Sequence, residues 1–143
     1  MKVRTHAVAK AAFACIAGRC DEKESARGVD NEKYGALADR LPAMILENGL
    51  SQATGFLLAK GKPEHCAVLD DLCAVLRSAE ATTSADGPGL HQEIIASDLD
   101  QTLILTRRSL EAGGWLKRYA QGVLGVDATG ERTPRDDPSS GGK

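Results

Sequence analysis

Large apolar residues recur along this chain at intervals of three and four, and no stretch alternates them with polar residues over the length of a strand. That spacing lines one side of a helix, so the chain is restricted to helices packed on helices. Ala9, Phe13, Ile16 and Cys20 mark the buried stripe of a first helix over Lys2 to Cys20, and a charged connection follows from Asp21 to Asn31. Tyr34, Leu37, Leu41, Met44 and Ile45 mark a second over Glu32 to Glu47. Pro42 falls inside it, where it removes one backbone hydrogen bond, so the helix is expected to kink there or start anew. Asn48-Gly49 sits between helical patterns and reads as a left-handed helix C-terminus rather than a hairpin turn.

A third helix is predicted over Leu50 to Lys60, with Leu50, Phe56, Leu57 and Leu58 spread around enough of its circumference to imply a central, well-buried position. Gly61 ends it. Pro63 opens a fourth helix reaching about Glu80, with Cys66, Leu69, Leu72, Cys73 and Leu76 on its inner side. Ala81 to Gly89 is built from turn formers and predicts a loop with a mobile tip, and a short helix follows over Leu90 to Ala96. Ser97, three residues before Asp100, reads as the N-cap of a last helix over Asp98 to Leu124.

That last helix carries two apolar stripes, one through Leu99, Leu103, Thr106 and Leu110, the other through Leu105, Ala112, Leu116, Tyr119 and Val123. A helix apolar on two sides packs against two neighbours. Gly113-Gly114 predicts a bend or a close helix crossing. Beyond Asp127 no large apolar residue remains, so residues 127–143 are expected to form a disordered tail. The expected architecture is all-α: a compact bundle of five to six helices in one domain over residues 1–126.

Chemistry is harder to find. His6, His65 and His91 lie in separate segments with no ligand or triad spacing around them. Cys66 and Cys73 are two helical turns apart, and Cys15 and Cys20 lie on different sides of one helix, so neither pair suits a disulfide or structural zinc. Free thiols in a reducing cytoplasm are the expectation. Asp70-Asp71 and Asp136-Asp137 are neighbours whose side chains diverge. Gly87-Pro-Gly89 lacks the Lys-Ser/Thr of a phosphate loop. No catalytic residue, metal site or cofactor is expected, and the residues point to a binding or structural protein. No apolar stretch approaches the ~18 residues of a membrane span, and no signal peptide is read.

The 143 residues carry a formal net charge of −2, so any contact with nucleic acid must use a local patch. Phe13, Phe56, Tyr34, Tyr119 and Trp115 are the only aromatics, too few for the stacking sheets of single-strand RNA modules. The first helix holds Lys2, Arg4, Lys10 and Arg19 before any acid appears, as a phosphate-facing surface requires; a solvated helix exterior is the alternative. On the last helix Arg107 and Arg118 return to nearly the same angle, Glu111 is placed to pair with Arg107, and Lys117 points elsewhere.

Leu41-Pro-Ala-Met-Ile-Leu-Glu-Asn-Gly-Leu-Ser-Gln52, followed by Phe56-Leu-Leu-Ala-Lys60, resembles the central signature of the small subunit of Cmr-type (type III-B) CRISPR effectors. Leu105 to Glu111 and Trp115 to Ala120 resemble that family's last helix, and the likeness runs from about Arg4 to Leu124. It implies an all-helical, non-catalytic subunit whose copies stack as a filament beside the backbone subunits that hold the guide RNA, in the company of the large subunit. Leu41, Pro42, Met44, Ile45, Leu50 and Phe56 match structural positions of the motif, with Trp115 beside them; Asn48, Gly49 and Gln52 match its polar turn. Lys60, Lys117 and Arg118 match basic positions, while Gly55 and Gly113-Gly114 depart from the pattern. With Arg4, Lys10 and Arg107, these cations are the candidate contacts to guide and target RNA. The competing reading is a small helical adaptor that binds a protein partner without RNA.

Overall fold

The computed structural model describes residues 4–21 and 30–124, with side chains over 5–18 and 30–122. Most of the charged connection after the first helix and the whole expected tail lie outside the described residues. Six α-helices follow in order: α1 (Arg4–Asp21), α2 (Asn31–Asn48), α3 (Leu50–Lys60), α4 (Pro63–Ser78), α5 (Gly87–Ala96) and α6 (Leu99–Tyr119), the last running into a π-helical turn over Ala120–Leu124. Among the described residues there is no strand. The all-α bundle read from periodicity is what the chain forms.

Local chemistry sets the helix ends. The Asp30 side chain caps α2 by accepting from the Glu32 amide at 2.9 Å. Gly49 joins α2 to α3 without a linker: its amide donates to the Ile45 carbonyl, and its own carbonyl accepts from the Ala53 amide. Its backbone stands at φ 91°, ψ 158°, not in the left-handed helical region expected. That is a conformation glycine alone adopts freely, and it turns the chain between two helices in one residue. Gly61, at φ 64°, does take the left-handed form and ends α3. The cap of α6 is Asp98, which accepts from the Gln101 amide at 2.8 Å, and not Ser97. Ser97 ends α5 instead, its hydroxyl donating back to the Glu93 carbonyl at 2.7 Å.

The core is a single cluster with α4 at its centre: Val68, Leu69, Leu72, Cys73, Val75 and Leu76 are all buried. The central position expected of α3 therefore belongs to α4. Leu50, Ala53, Thr54 and Leu57 of α3 face inward, while Phe56 and Leu58 reach the surface, 39% and 36% exposed. On α1 the buried line runs through Val8, Ala12 and Ile16, and Phe13, expected inside, is 49% exposed. It stands one residue, ~100°, round the helix from Ala12 and packs sideways on Tyr119 of α6, ring centroids 5.3 Å apart. Cys66 is likewise exposed, and Met44 only half-buried. Tyr34, fully buried, donates to Asp71 at 2.5 Å and so ties α2 to α4 through a polar bond inside the apolar cluster.

Pro42 does not restart its helix; α2 is continuous through it. Its ring lies where α6 presents Gly113: a Cβ built on Gly113 would meet Leu41 at 3.5 Å and Pro42 at 3.6 Å, ordinary van der Waals contact. Gly113 thus sits at the contact between α6 and α2. Gly114 faces open space. Of the two stripes on α6, Leu105, Ala112 and Leu116 are buried, while the other is covered only in part: Leu110 packs against the core, and Leu99 and Leu103 are 72% and 55% exposed.

The segment expected to be mobile is tied down and partly helical. Arg77 donates to the carbonyls of Ser84 and Ala85, both at 3.0 Å, and the hydroxyls of Thr82 and Ser84 donate to the Glu93 carboxylate. α5 begins inside that segment at buried Gly87, whose amide donates to Asp70 at 2.7 Å. At the other end, α4 finishes with the Ala81 amide on the Leu76 carbonyl and the Glu80 amide on the Arg77 carbonyl, with Glu80 itself left-handed at φ 61°. Glycine normally holds that place.

Two substitutions follow from these contacts. A Cβ on Gly87 would lie 2.6 Å from the Leu69 Cγ and 2.8 Å from the Asp70 carboxylate, so Gly87→Ala is expected to destabilise by about 1–3 kcal/mol. Glu80→Gly relieves a left-handed penalty of about 1–2 kcal/mol and loses part of it to unfolded-state entropy, for a net gain of about 0.5–1 kcal/mol. Urea unfolding followed by circular dichroism measures both.

Candidate interaction surfaces

The outer side of α6 is set by its inner one. With Leu105, Ser109, Ala112 and Leu116 buried, Arg107 and Arg118 are left on the opposite side, both exposed. Eleven residues separate them, which brings them back to within about 20° of one another, about 16 Å apart along the axis. Glu111, which the spacing places to neutralise Arg107, turns instead toward α1, where its carboxylate accepts from the Thr5 hydroxyl at 3.3 Å. Lys117 is half-buried on a different side of the helix.

α1 and α6 run in the same direction, Thr5 meeting Glu111 and Phe13 meeting Tyr119. Along this seam three of the five aromatics gather. Trp115 and Tyr119 stack at 5.5 Å, Phe13 meets Tyr119 edge-on, and the Arg118 guanidinium lies over the Trp115 ring at 5.1 Å. Lys10, exposed, stands one turn before Phe13. The i, i+4 spacing of Trp115 and Tyr119 signals their stacking in sequence; the approach of Phe13 from α1 has no such signal. The side chain of Arg4 lies outside the described residues.

Lys60 is elsewhere. It closes α3, where a cation complements the helix dipole, and its ammonium lies 5.8 Å from the Phe56 ring centroid. His65 meets the same ring edge-on at 5.6 Å. Burial holds the His65 pKa below its ordinary value; Glu64 opposes that shift, while Lys60, Lys62 and Arg40 reinforce it. The six candidate cations therefore do not form one patch. Arg107 and Arg118, with Lys10 near the α1–α6 seam, belong to one region, and Lys60 belongs with Arg40 and Lys62 to a second.

The motif residues divide by depth. Leu41, Ile45 and Leu50 are core; Pro42 and Trp115 are half-buried in helix contacts. Met44, Asn48, Gln52 and Phe56, spaced by four across the Gly49 junction, line a surface cleft of 340 Å³. The sequence separates these four into structural and polar-turn positions, and the junction brings them together.

No group of three or more His, Cys, Asp or Glu that could hold a metal occurs among the described residues. Cys66 and Cys73 are free thiols, and burial pushes the Cys73 thiol up from its ordinary value. Nor is any helix among the described residues long and apolar enough to cross a membrane.

Comparison with known proteins converges on one family. Residues 4–123 match the model of the CRISPR-associated protein Cas_Cmr5. A relative from Thermus thermophilus, described as CRISPR system Cmr subunit Cmr5, is 34% identical over 102 residues, 71% of this chain and 84% of its own length. The crystal structure of a CRISPR-associated Cmr5 family protein from Thermus thermophilus superposes with a TM-score of 0.73 at 31% identity, covering 87% of this chain and 99% of that one. With the match running unbroken from the start of α1 through α6, the chain belongs to the Cmr5 family of CRISPR-associated proteins.

Proposed function

We propose that this protein is a non-catalytic, cytoplasmic structural subunit of a type III-B (Cmr) RNA-guided effector in antiviral defence, its copies stacking beside the other Cmr subunits and supporting the pairing of guide and target RNA. The observation that carries this reading is membership of the Cmr5 family across all six helices. Arg107 and Arg118, sharing the outward side of α6, give it a physical means. They are suited to phosphates, because both are exposed cations on the outward side of one helix. Arg118 is held over Trp115, so little side-chain freedom is lost when it meets a phosphate. Lys10, Lys117, Lys60 and Arg4 are the further candidate contacts, and sequence selection falls to base pairing between the RNAs.

Purification of the tagged protein from its host is expected to recover a multi-subunit particle with short RNAs sharing a repeat-derived 5′ end. Recovery of one protein partner and no RNA supports the adaptor reading instead. In the reconstituted complex, the Lys117→Ala/Arg118→Ala pair should weaken target retention to a similar degree for unrelated guides. The slope of log affinity against log salt should fall by about 2, roughly one unit per lost phosphate contact. A loss confined to one guide sequence would sink the phosphate-contact model.

A further inference from the structure

Two places in this chain set up a reaction that needs no enzyme. Where Asn or Asp precedes glycine, the glycine amide nitrogen can attack the side-chain carbonyl carbon, because glycine has no Cβ to hinder the approach. The chain holds one Asn-Gly, Asn48-Gly49, and one Asp-Gly, Asp86-Gly87. The fold treats them differently.

At Asp86-Gly87 both partners are held. The Gly87 amide donates to the Asp70 carboxylate at 2.7 Å, and the Asp86 carboxylate accepts from the Gly89 amide at 2.9 Å. Gly87 is buried, and Arg77 grips the carbonyls of Ser84 and Ala85 just before it. At Asn48-Gly49 the nucleophile is held by one bond, from the Gly49 amide to the Ile45 carbonyl at 2.9 Å. The Asn48 side chain is exposed and lines the cleft with Met44, Gln52 and Phe56. Leu46, Glu47, Asn48 and Gly49 are all exposed, between Ile45 and Leu50, which are buried. Such a stretch can open while its two anchors stay in the core, at far less cost than unfolding the bundle.

We propose that Asn48 is a site of spontaneous deamidation in the folded protein, reached by fraying of the last turn of α2. The Gly49 nitrogen, freed from Ile45, gives its proton to solvent base and bonds to the Asn48 Cγ. The side-chain nitrogen takes up a proton and leaves as ammonia. What remains is a five-membered succinimide whose nitrogen carries no hydrogen, so the bond to Ile45 must break for the ring to close. Water then opens the ring. Attack at Cγ leaves aspartate; attack at the main-chain carbonyl leaves isoaspartate, in which the chain runs through the side chain and is one carbon longer.

The consequence falls on the junction. Gly49 joins α2 to α3 in a single residue, its amide closing one helix and its carbonyl accepting from Ala53 of the other. An extra main-chain carbon beside it breaks the four-residue spacing that brings Met44, Asn48, Gln52 and Phe56 to one cleft, and the new carboxylate stands next to exposed Glu47.

Warm, mildly alkaline incubation of the full chain, followed by peptide mapping that separates asparagine, aspartate and isoaspartate, tests the assignment. Product is expected at position 48 in the folded chain, at a rate about tenfold or more below that in the urea-unfolded chain, since the closed junction outnumbers the open one. Asp86 is expected to stay intact until urea releases Gly87. Across urea concentrations too low to unfold the chain the rate at position 48 should stay flat, because local opening exposes little surface. A rate that climbs with urea in step with global stability overturns the local route. Equal rates in folded and unfolded chain overturn the shielding by Ile45, and Asp86 isomerising alongside in the folded chain overturns the contrast between the two sites. No product in the folded chain while the unfolded chain converts shows that Asn48 is not a site in the native protein. Freshly prepared Asn48→Asp carries the charge without the extra carbon. The isolated isoaspartate fraction should unfold at lower urea than this variant; equal midpoints remove the effect on the junction.

Discussion

The rotation of α6 about its own axis decides what this protein shows to the outside, and the contact that fixes it is Gly113 against Leu41 and Pro42 of α2. A proline inside a helix removes one backbone bond and crowds the preceding turn, at about 3 kcal/mol in an isolated helix. Here α2 stays whole, and its proline ring faces a glycine that itself lowers helix propensity in α6. Two locally unfavourable residues meet at one contact between α2 and α6. With Gly113 held inward, Leu105, Ala112 and Leu116 face the core, and Arg107, Arg118, Leu99 and Leu103 face outward. Rotating α6 by one residue position would bury an arginine or expose a leucine of the core.

The helices were legible in sequence because periodicity is local. The bounds of α3 and the start of α4 come directly from Gly49, Gly61 and Pro63, residues whose backbone restrictions hold in any tertiary setting. Depth was less legible. Phe13 and Leu58 look like core residues by hydrophobicity alone, yet the small line of Val8, Ala12 and Ile16 lets α1 approach the bundle closely and leaves Phe13 at the side. The pinning of residues 81–89 was invisible for the same reason: Glu93 and Asp70, which hold the segment by its hydroxyls and amides, sit ordinary and unremarked in helices elsewhere in the sequence. Left-handed Glu80 gave no warning either, since a helix end of that kind is normally announced by glycine.

Of the candidate site, sequence supplied the cations and the angle shared by Arg107 and Arg118, which is helix arithmetic. It did not supply the fate of Glu111. Spacing alone permits a pair with Arg107, and the parallel run of α1 beside α6 offers Thr5 instead. Nor did it supply the cleft. Met44 and Phe56 match apolar positions of a motif and Asn48 and Gln52 polar ones, and they share a surface only because Gly49 turns the chain in a single residue.

The scarcity of aromatics, which argued against a stacking module, takes on a different meaning in the folded chain. Two rings lie beneath cations: Trp115 under Arg118 three residues on, and Phe56 under Lys60 four residues on. Each pairing is worth only about 0.5–1 kcal/mol at an exposed site, too little to matter for stability. It is enough to bias where a long, flexible side chain points. A surface that holds RNA through its phosphates gains little from reading bases and much from cations already in position, because the entropy of ordering them is settled before the RNA arrives. Tyr119 and Phe13 extend that ordering to the α1–α6 seam, so the direction of Arg118 depends on α1 remaining docked. Fold and charge are thereby coupled in a protein whose net charge of −2 gives no general attraction for nucleic acid.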